Sequence, residues 1–131
     1  MVGRILWFVR LAVLIALIVV SAGVALASSG STSLRIAVRA GPGAPARVTT
    51  LRCDPSGGTV AQPAQACRRL LAAGRGIFAP TPPGTACTMI YGGPQEALVT
   101  GTLRGVKVWA RLRRRNGCEI ARWNRVAFLL G

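Results

Sequence analysis

Four cysteines, at positions 53, 67, 87 and 118, constrain the fold of this chain more than any other feature, because all of them follow a hydrophobic leader. Arg4 and Arg10 give a positive start. Leu11 to Val20 is an unbroken apolar run, and Ala25-Leu26-Ala27 supplies the small-x-small pattern of a cleavage site. Residues 1–27 are read as a signal peptide, with residues 28–131 as one mature, secreted, extracellular domain. The competing reading is an uncleaved anchor. Leu11 to Ala27 spans only 17 residues, the short edge of what a bilayer requires, and it ends in small residues rather than in a basic cluster. No stable membrane anchor is expected after cleavage. An exported chain meets an oxidising compartment, where cysteines pair by default. The spacing Cys53-x13-Cys67-x19-Cys87-x30-Cys118 leaves three pairings open.

A mature chain of 104 residues builds one modest core, which disulfides commonly reinforce. Without Arg4 and Arg10 it carries 15 basic residues against 3 acidic ones, a net charge of +12, and every basic residue except Lys107 is Arg. Such a balance favours solubility and attraction to acidic surfaces, and it says nothing about fold.

Leu34, Ile36 and Val38 alternate with Arg35, Ala37 and Arg39, the period of a half-buried strand. A Gly-Pro loop at 41–45 follows, then a second strand, Val48 to Cys53, with Thr49, Leu51 and Cys53 on one face. Residues 54–58 read as a turn. Pro63 suits the first turn of a helix and Gly74 its end, with Cys67, Leu70 and Leu71 on one face and Arg68 and Arg69 turned to solvent. Residues 74–86 are Gly- and Pro-rich and form a long irregular connection, which in a compact domain is commonly functional. Ala97–Leu103 and Val106–Arg115 form a hairpin joined at Arg104-Gly105. Val106, Val108, Ala110 and Leu112 share one face; Lys107, Trp109, Arg111 and Arg113 share the other. Cys118 to Ala121 reads as a short helical turn, and Val126, Phe128 and Leu130 alternate as a closing strand. Strands with one clear helix suggest an α+β domain: an antiparallel sheet with helix on one face.

No enzyme reading survives. The chain has no His, which excludes Ser-His-Asp and Cys-His sites. Its only acids are Asp54, Glu96 and Glu119, and two of them have local roles: Asp54 sits in a turn, and Glu119 follows Cys118 at a helix start, where negative charge is favoured. There is no Cys-x-x-Cys for a zinc site and no Gly-rich phosphate loop, so no catalytic residue, metal or cofactor is assigned. Arg111, Arg113, Arg114 and Arg115 cluster near Trp109, but one aromatic on that strand and the absence of any nucleic-acid motif argue against nucleic acid as partner.

Several short motifs, taken in order, carry a resemblance. Cys53-Asp54-Pro55, Gly57-Gly58-Thr59 and Pro63-x-x-Ala66-Cys67-x-x-Leu70 are followed by Cys87-Thr88-Met89-Ile90-Tyr91, Gly101-x-x-x-Gly105, Asn116-x-Cys118 and Val126-x-Phe128. Together they span most of residues 32–130, and the set resembles the Streptomyces subtilisin inhibitor family of secreted serine protease inhibitors. The resemblance implies a five-stranded antiparallel sheet with two helices, commonly as a sheet-packed homodimer. It implies bridges Cys53–Cys67 and Cys87–Cys118, and a subtilisin-like serine protease as partner. It also implies a reactive bond between Met89 (P1) and Ile90 (P1′), flanked in the reactive loop by Cys87, Thr88 and Tyr91.

The physics of those residues is consistent with such a loop. An extended segment adds main-chain hydrogen bonds to a protease cleft in strand fashion. Met is long and adaptable enough to fill a broad S1 pocket. A bridge at Cys87 fixes the loop beside the scissile bond, which lowers the ordering cost of association and retains a cleaved product for religation. The competing reading of Met89, Ile90 and Tyr91 is ordinary core packing. The sequence departs from the family at Thr88, where relatives commonly carry Pro, at Gly92-Gly93-Pro94-Gln95-Glu96, and at Arg113-Arg114-Arg115, where relatives place an apolar aromatic. A second functional reading is a cationic exported binding protein on the same fold, without inhibitory activity.

Overall fold

A computed structural model describes residues 30–131. The signal-peptide reading of residues 1–27 lies outside the described residues. The elements are β1 (Ser33–Arg39), β2 (Arg47–Cys53), β3 (Ser56–Gly58), α1 (Pro63–Ala73), a 3-10 turn (Arg75–Phe78), β4 (Glu96–Leu103), β5 (Val106–Leu112), α2 (Gly117–Arg125) and α3 (Ala127–Leu130). The strands form one antiparallel sheet in the order β3-β2-β1-β4-β5. The α+β class and the five-stranded sheet hold. Among the described residues the helices of seven or more residues are α1 and α2, with a four-residue α3 after them.

Alternation does the work in β1. Leu34 and Ile36 are buried on the inner face while Ser33, Arg35 and Arg39 stay exposed. Leu51 in β2, Val99 and Leu103 in β4, and Val108, Ala110 and Leu112 in β5 complete that face. Val106 shares their register face but stays 44% exposed at the strand's start. The β4–β5 turn has positive φ at Arg104 (52°) and Gly105 (77°), the pairing of a two-residue turn that matches strand twist. Across the inner face α1 contributes Ala66, Cys67 and Leu70, and the 3-10 turn contributes Phe78. Pro63 opens α1 where its missing N–H costs nothing. Arg68 and Arg69 are exposed as expected, and the Arg69 guanidinium lies 4.3 Å from the Phe128 ring centroid.

Two sequence expectations fail. Val126–Leu130 is not a strand: α3 covers it, and Val126, Leu129 and Leu130 are buried while Phe128 is half-buried. Burial at i, i+3 and i+4 is a helical face, and the apparent alternation was compatible with both periods over so short a run. The fifth strand is instead β3, Ser56-Gly57-Gly58, read from sequence as part of a turn. It has no apolar side chain to announce it; pairing to Leu51, Arg52 and Cys53 of β2 makes it a strand. β5 also ends at Leu112 rather than Arg115, and α2 is longer than the turn expected at 118–121.

Candidate functional site

The segment from Cys87 to Gly92 has neither helix nor strand character and stands off the body of the domain. Met89 is 91% exposed, Ile90 61% and Tyr91 66%. Core packing is thereby excluded for all three. The exposed centre of this stretch is held in one shape from both ends.

Three ties do this. The Cys87–Cys118 disulfide bonds the start of the segment to the first turn of α2. One residue on, the Thr88 carbonyl accepts a hydrogen bond from the Gly117 N–H at 2.9 Å. On the far side the Gly92 N–H donates to the Arg114 carbonyl at 2.7 Å. Met89, Ile90 and Tyr91 lie between these ties, and none of the loop and turn main-chain hydrogen bonds among the described residues uses their N–H or C=O groups. Gly117 eases the approach: a Cβ there would meet the Thr88 side-chain oxygen, which would have to turn aside. The arrangement is an extended span fixed at both ends with its centre free, as a strand-like docking segment needs.

The support under the span comes from α2 and the end of β5. Asn116 caps α2, its Oδ1 accepting from the Glu119 N–H at 2.9 Å, and the Glu119 carboxylate accepts from the Arg115 N–H at 3.1 Å. These contacts satisfy donors that a helix start leaves open. They hold Gly117 and Cys118, the two anchors of the loop, in place. The Arg113-Arg114-Arg115 run divides its work. Arg113 and Arg115 pair with Glu96 at the start of β4, at 3.3 and 3.5 Å, while Arg114 donates to Gln95 Oε1 at 3.1 Å and lies 5.8 Å from the Trp123 ring centroid. Polar contacts thus organise this run against the start of β4. On the other flank of α2, Arg122 donates to the Ala79 carbonyl at 3.0 Å and ties down the irregular connection. Partial burial, with the charge of Arg125 beside it, holds the Arg122 guanidinium below its ordinary value.

The other bridge, Cys53–Cys67, joins β2 to α1. Both pairings implied by the resemblance are present. Of the residues named from sequence, Cys87, Thr88, Met89, Ile90 and Tyr91 fall together in this span, and Cys118 beneath it. The sequence carried Arg114 only as part of a basic cluster and Asn116 only as part of a motif, and singled out neither them nor Gly117 as supports of the loop. The Asn116-x-x-Glu119 spacing was a readable capping signal. The two main-chain ties had none. Among the described residues no group of His, Cys, Asp or Glu is placed to hold a metal ion, and no helix is long and apolar enough to cross a membrane.

The family model described as subtilisin inhibitor-like matches residues 30–116. The chain belongs to that family. The match stops just before Cys118, so the second half of the loop's bridge and all of α2 and α3 lie beyond it. Among solved structures, the crystal structure of Streptomyces caespitosus sermetstatin in complex with Bacillus licheniformis subtilisin is similar, with 28% sequence identity and a TM-score of 0.51. The similarity covers 74% of this chain and 97% of that one. No curated protein gives a significant sequence match.

Proposed function

We propose that this protein inhibits a subtilisin-like serine protease by offering residues 87–91 as a substrate mimic, with Met89 as P1 and Ile90 as P1′. The observation that carries the reading is the 91% exposure of Met89 in a segment tied on both sides. A large apolar side chain held out in water is free to enter an S1 pocket without rearranging the domain. Thr88 and Cys87 then take P2 and P3, and Tyr91 takes P2′. Sermetstatin, the similar solved structure, is in complex with a subtilisin, which supports the class of partner. The reading assigns no catalysis to this chain. It includes export: residues 1–27 act as the leader, and the domain works outside the cell, where its disulfides are stable.

The test is titration of the purified 28–131 protein against subtilisin, trypsin and chymotrypsin. Stoichiometric inhibition of subtilisin is expected, lost in Met89→Asp because a carboxylate would be desolvated in an apolar pocket. Met89→Lys is expected to move preference toward trypsin, whose S1 pocket carries an acid. Absence of inhibition by the parent protein at micromolar concentration leaves the cationic binding protein as the surviving reading.

A further inference from the structure

The exposed span is secured differently on its two sides. Toward the start of the chain Cys87 is covalently bridged to Cys118. Toward the end of the chain the tie is the Gly92 N–H, which donates to the Arg114 carbonyl at 2.7 Å. The same Arg114 turns its side chain back on this segment, where Nη1 donates to Gln95 Oε1 at 3.1 Å. Residues 92–95 are thus pinned at both ends to one residue, by its main chain at Gly92 and by its side chain at Gln95. Gly92 is seated closely: a Cβ on it would lie 2.9 Å from Ile120 Cδ1 and 3.2 Å from Arg114 Cβ. Gly93 makes the bend between the two pins with a φ of 123°, which L side chains rarely adopt. The Arg114 guanidinium also lies 5.8 Å from the ring centroid of Trp123 in α2. Its Nε is buried with no hydrogen-bond partner among the described residues. A buried donor left open works against stability, so what this side chain supplies is its grip on Gln95.

We propose that Arg114 is a positioning residue: it keeps the Ile90 end of a cut loop beside the protease, so that the Met89–Ile90 bond re-forms before water ends the inhibition. The inference rests on the inhibitor reading. When the protease serine attacks the Met89 carbonyl, the C–N bond breaks and Met89 is held as an ester on the serine oxygen. Ile90 leaves as a free amine, carrying the proton that the serine gave up. Re-formation reverses these steps: the amine nitrogen attacks the ester carbonyl, the C–O bond breaks, and the proton returns to the serine oxygen. Hydrolysis puts water in the amine's place. Which of the two wins depends on how concentrated the amine is at the ester. Without the clamp Ile90 heads a free tail of six residues, 90–95, before β4 begins at Glu96. With the clamp, Ile90 and Tyr91 alone are free. Effective concentration falls roughly as the −3/2 power of tail length, so shortening the tail from six residues to two raises it about fivefold.

The test uses the 28–131 protein and subtilisin. Arg114→Met keeps most of the side chain's bulk and loses its donors. Gln95→Ala removes the acceptor instead, and carries the test if Arg114→Met does not fold. Each variant is expected to release protein cut between Met89 and Ile90 about fivefold faster from its complex. The association rate is expected to stay within about twofold, since the uncut loop is still held by its bridge. Gln95→Ala/Arg114→Met is expected to be no worse than either single variant, because one contact is lost in all three. Unchanged cleavage overturns the proposal, and so do effects of the two changes that multiply to about 25-fold. An equal effect of Arg122→Met, which removes a charge from the other flank of α2, overturns it as well. Hydrogen exchange of the Gly92 amide, read without protease, is expected to be about fivefold or more faster in each single variant, and unchanged exchange overturns the clamp whatever the protease shows. A parent that subtilisin neither binds nor cuts at Met89–Ile90 brings down the inhibitor reading and this one together. An inhibitory parent matched by its variants removes this one alone.

Discussion

The two disulfides do different work, and the contrast explains the molecule. Cys53–Cys67 closes a sequence separation of 14 and sits against the core, with Cys67 4% exposed among Leu51, Leu70 and Ala66. Cys87–Cys118 closes a separation of 31 and lies at the surface, tying a segment that buries almost nothing. Where apolar packing already holds two elements together, a bridge adds stability. Where there is no packing, the bridge and two main-chain hydrogen bonds must supply the shape themselves. One end of the domain is ordered by burial and the other by tethers.

Removing each bridge in turn should separate these roles. Cys53→Ala/Cys67→Ala is expected to cost about 3 kcal/mol in urea unfolding while leaving inhibition by the folded fraction nearly intact. Cys87→Ala/Cys118→Ala is expected to cost a comparable amount, about 4 kcal/mol in the chain-entropy account, but also to convert the inhibitor into a substrate. Gel analysis after incubation with subtilisin reads that conversion as progressive cleavage. Similar inhibition by both variants would falsify the division.

Met89→Asp sharpens the same contrast at one residue. Inhibition should fall about 100-fold or more, a penalty of about 3 kcal/mol for desolvating an acid, with the unfolding midpoint moved by no more than about 0.5 kcal/mol. In the core, Leu70→Ala should do the reverse, costing about 2–5 kcal/mol of stability with the inhibition constant of the folded protein unchanged.

Smaller changes probe the tethers. Gly117→Ala drives a methyl group into the Thr88 side chain and should weaken inhibition about tenfold, with a stability loss of about 1–3 kcal/mol. Thr88→Ala added to it should recover part of both losses, a coupling that a double-mutant cycle measures directly. Asn116→Ala removes the cap of α2 and should cost about 1 kcal/mol, read by thermal unfolding.

The burial-ordered part of the fold was the more legible in the sequence. β1 and β5 carry apolar residues at period two over most of their length, and α1 carries Cys67, Leu70 and Leu71 at helical spacing between a Pro and a Gly. The failures fall where period is short or absent. Val126–Leu130 offered five residues that fit strand or helix, and only packing against the sheet decides between them. Ser56-Gly57-Gly58 is a strand because β2 offers it partners, which no local pattern announces. In the candidate site, Met89 through Tyr91 were placed by motif order around a cysteine. The hydrogen bonds that fix them run from Gly117 and to Arg114, more than twenty residues away, between main-chain groups that every residue type possesses.

The two margins of the sheet matter for a molecule that offers extended chain to a partner. β3 is three residues long and two of them are glycine, too short to template another strand, and β5 presents Lys107 and Arg111 along the opposite border. Short and charged borders discourage strand addition between copies. Edge-to-edge aggregation of the sheet is therefore disfavoured, although the domain holds an extended segment out into solvent around Met89. The extended segment around Met89 is a further stretch open to pairing, and the ties at Thr88 and Gly92 limit it to three residues.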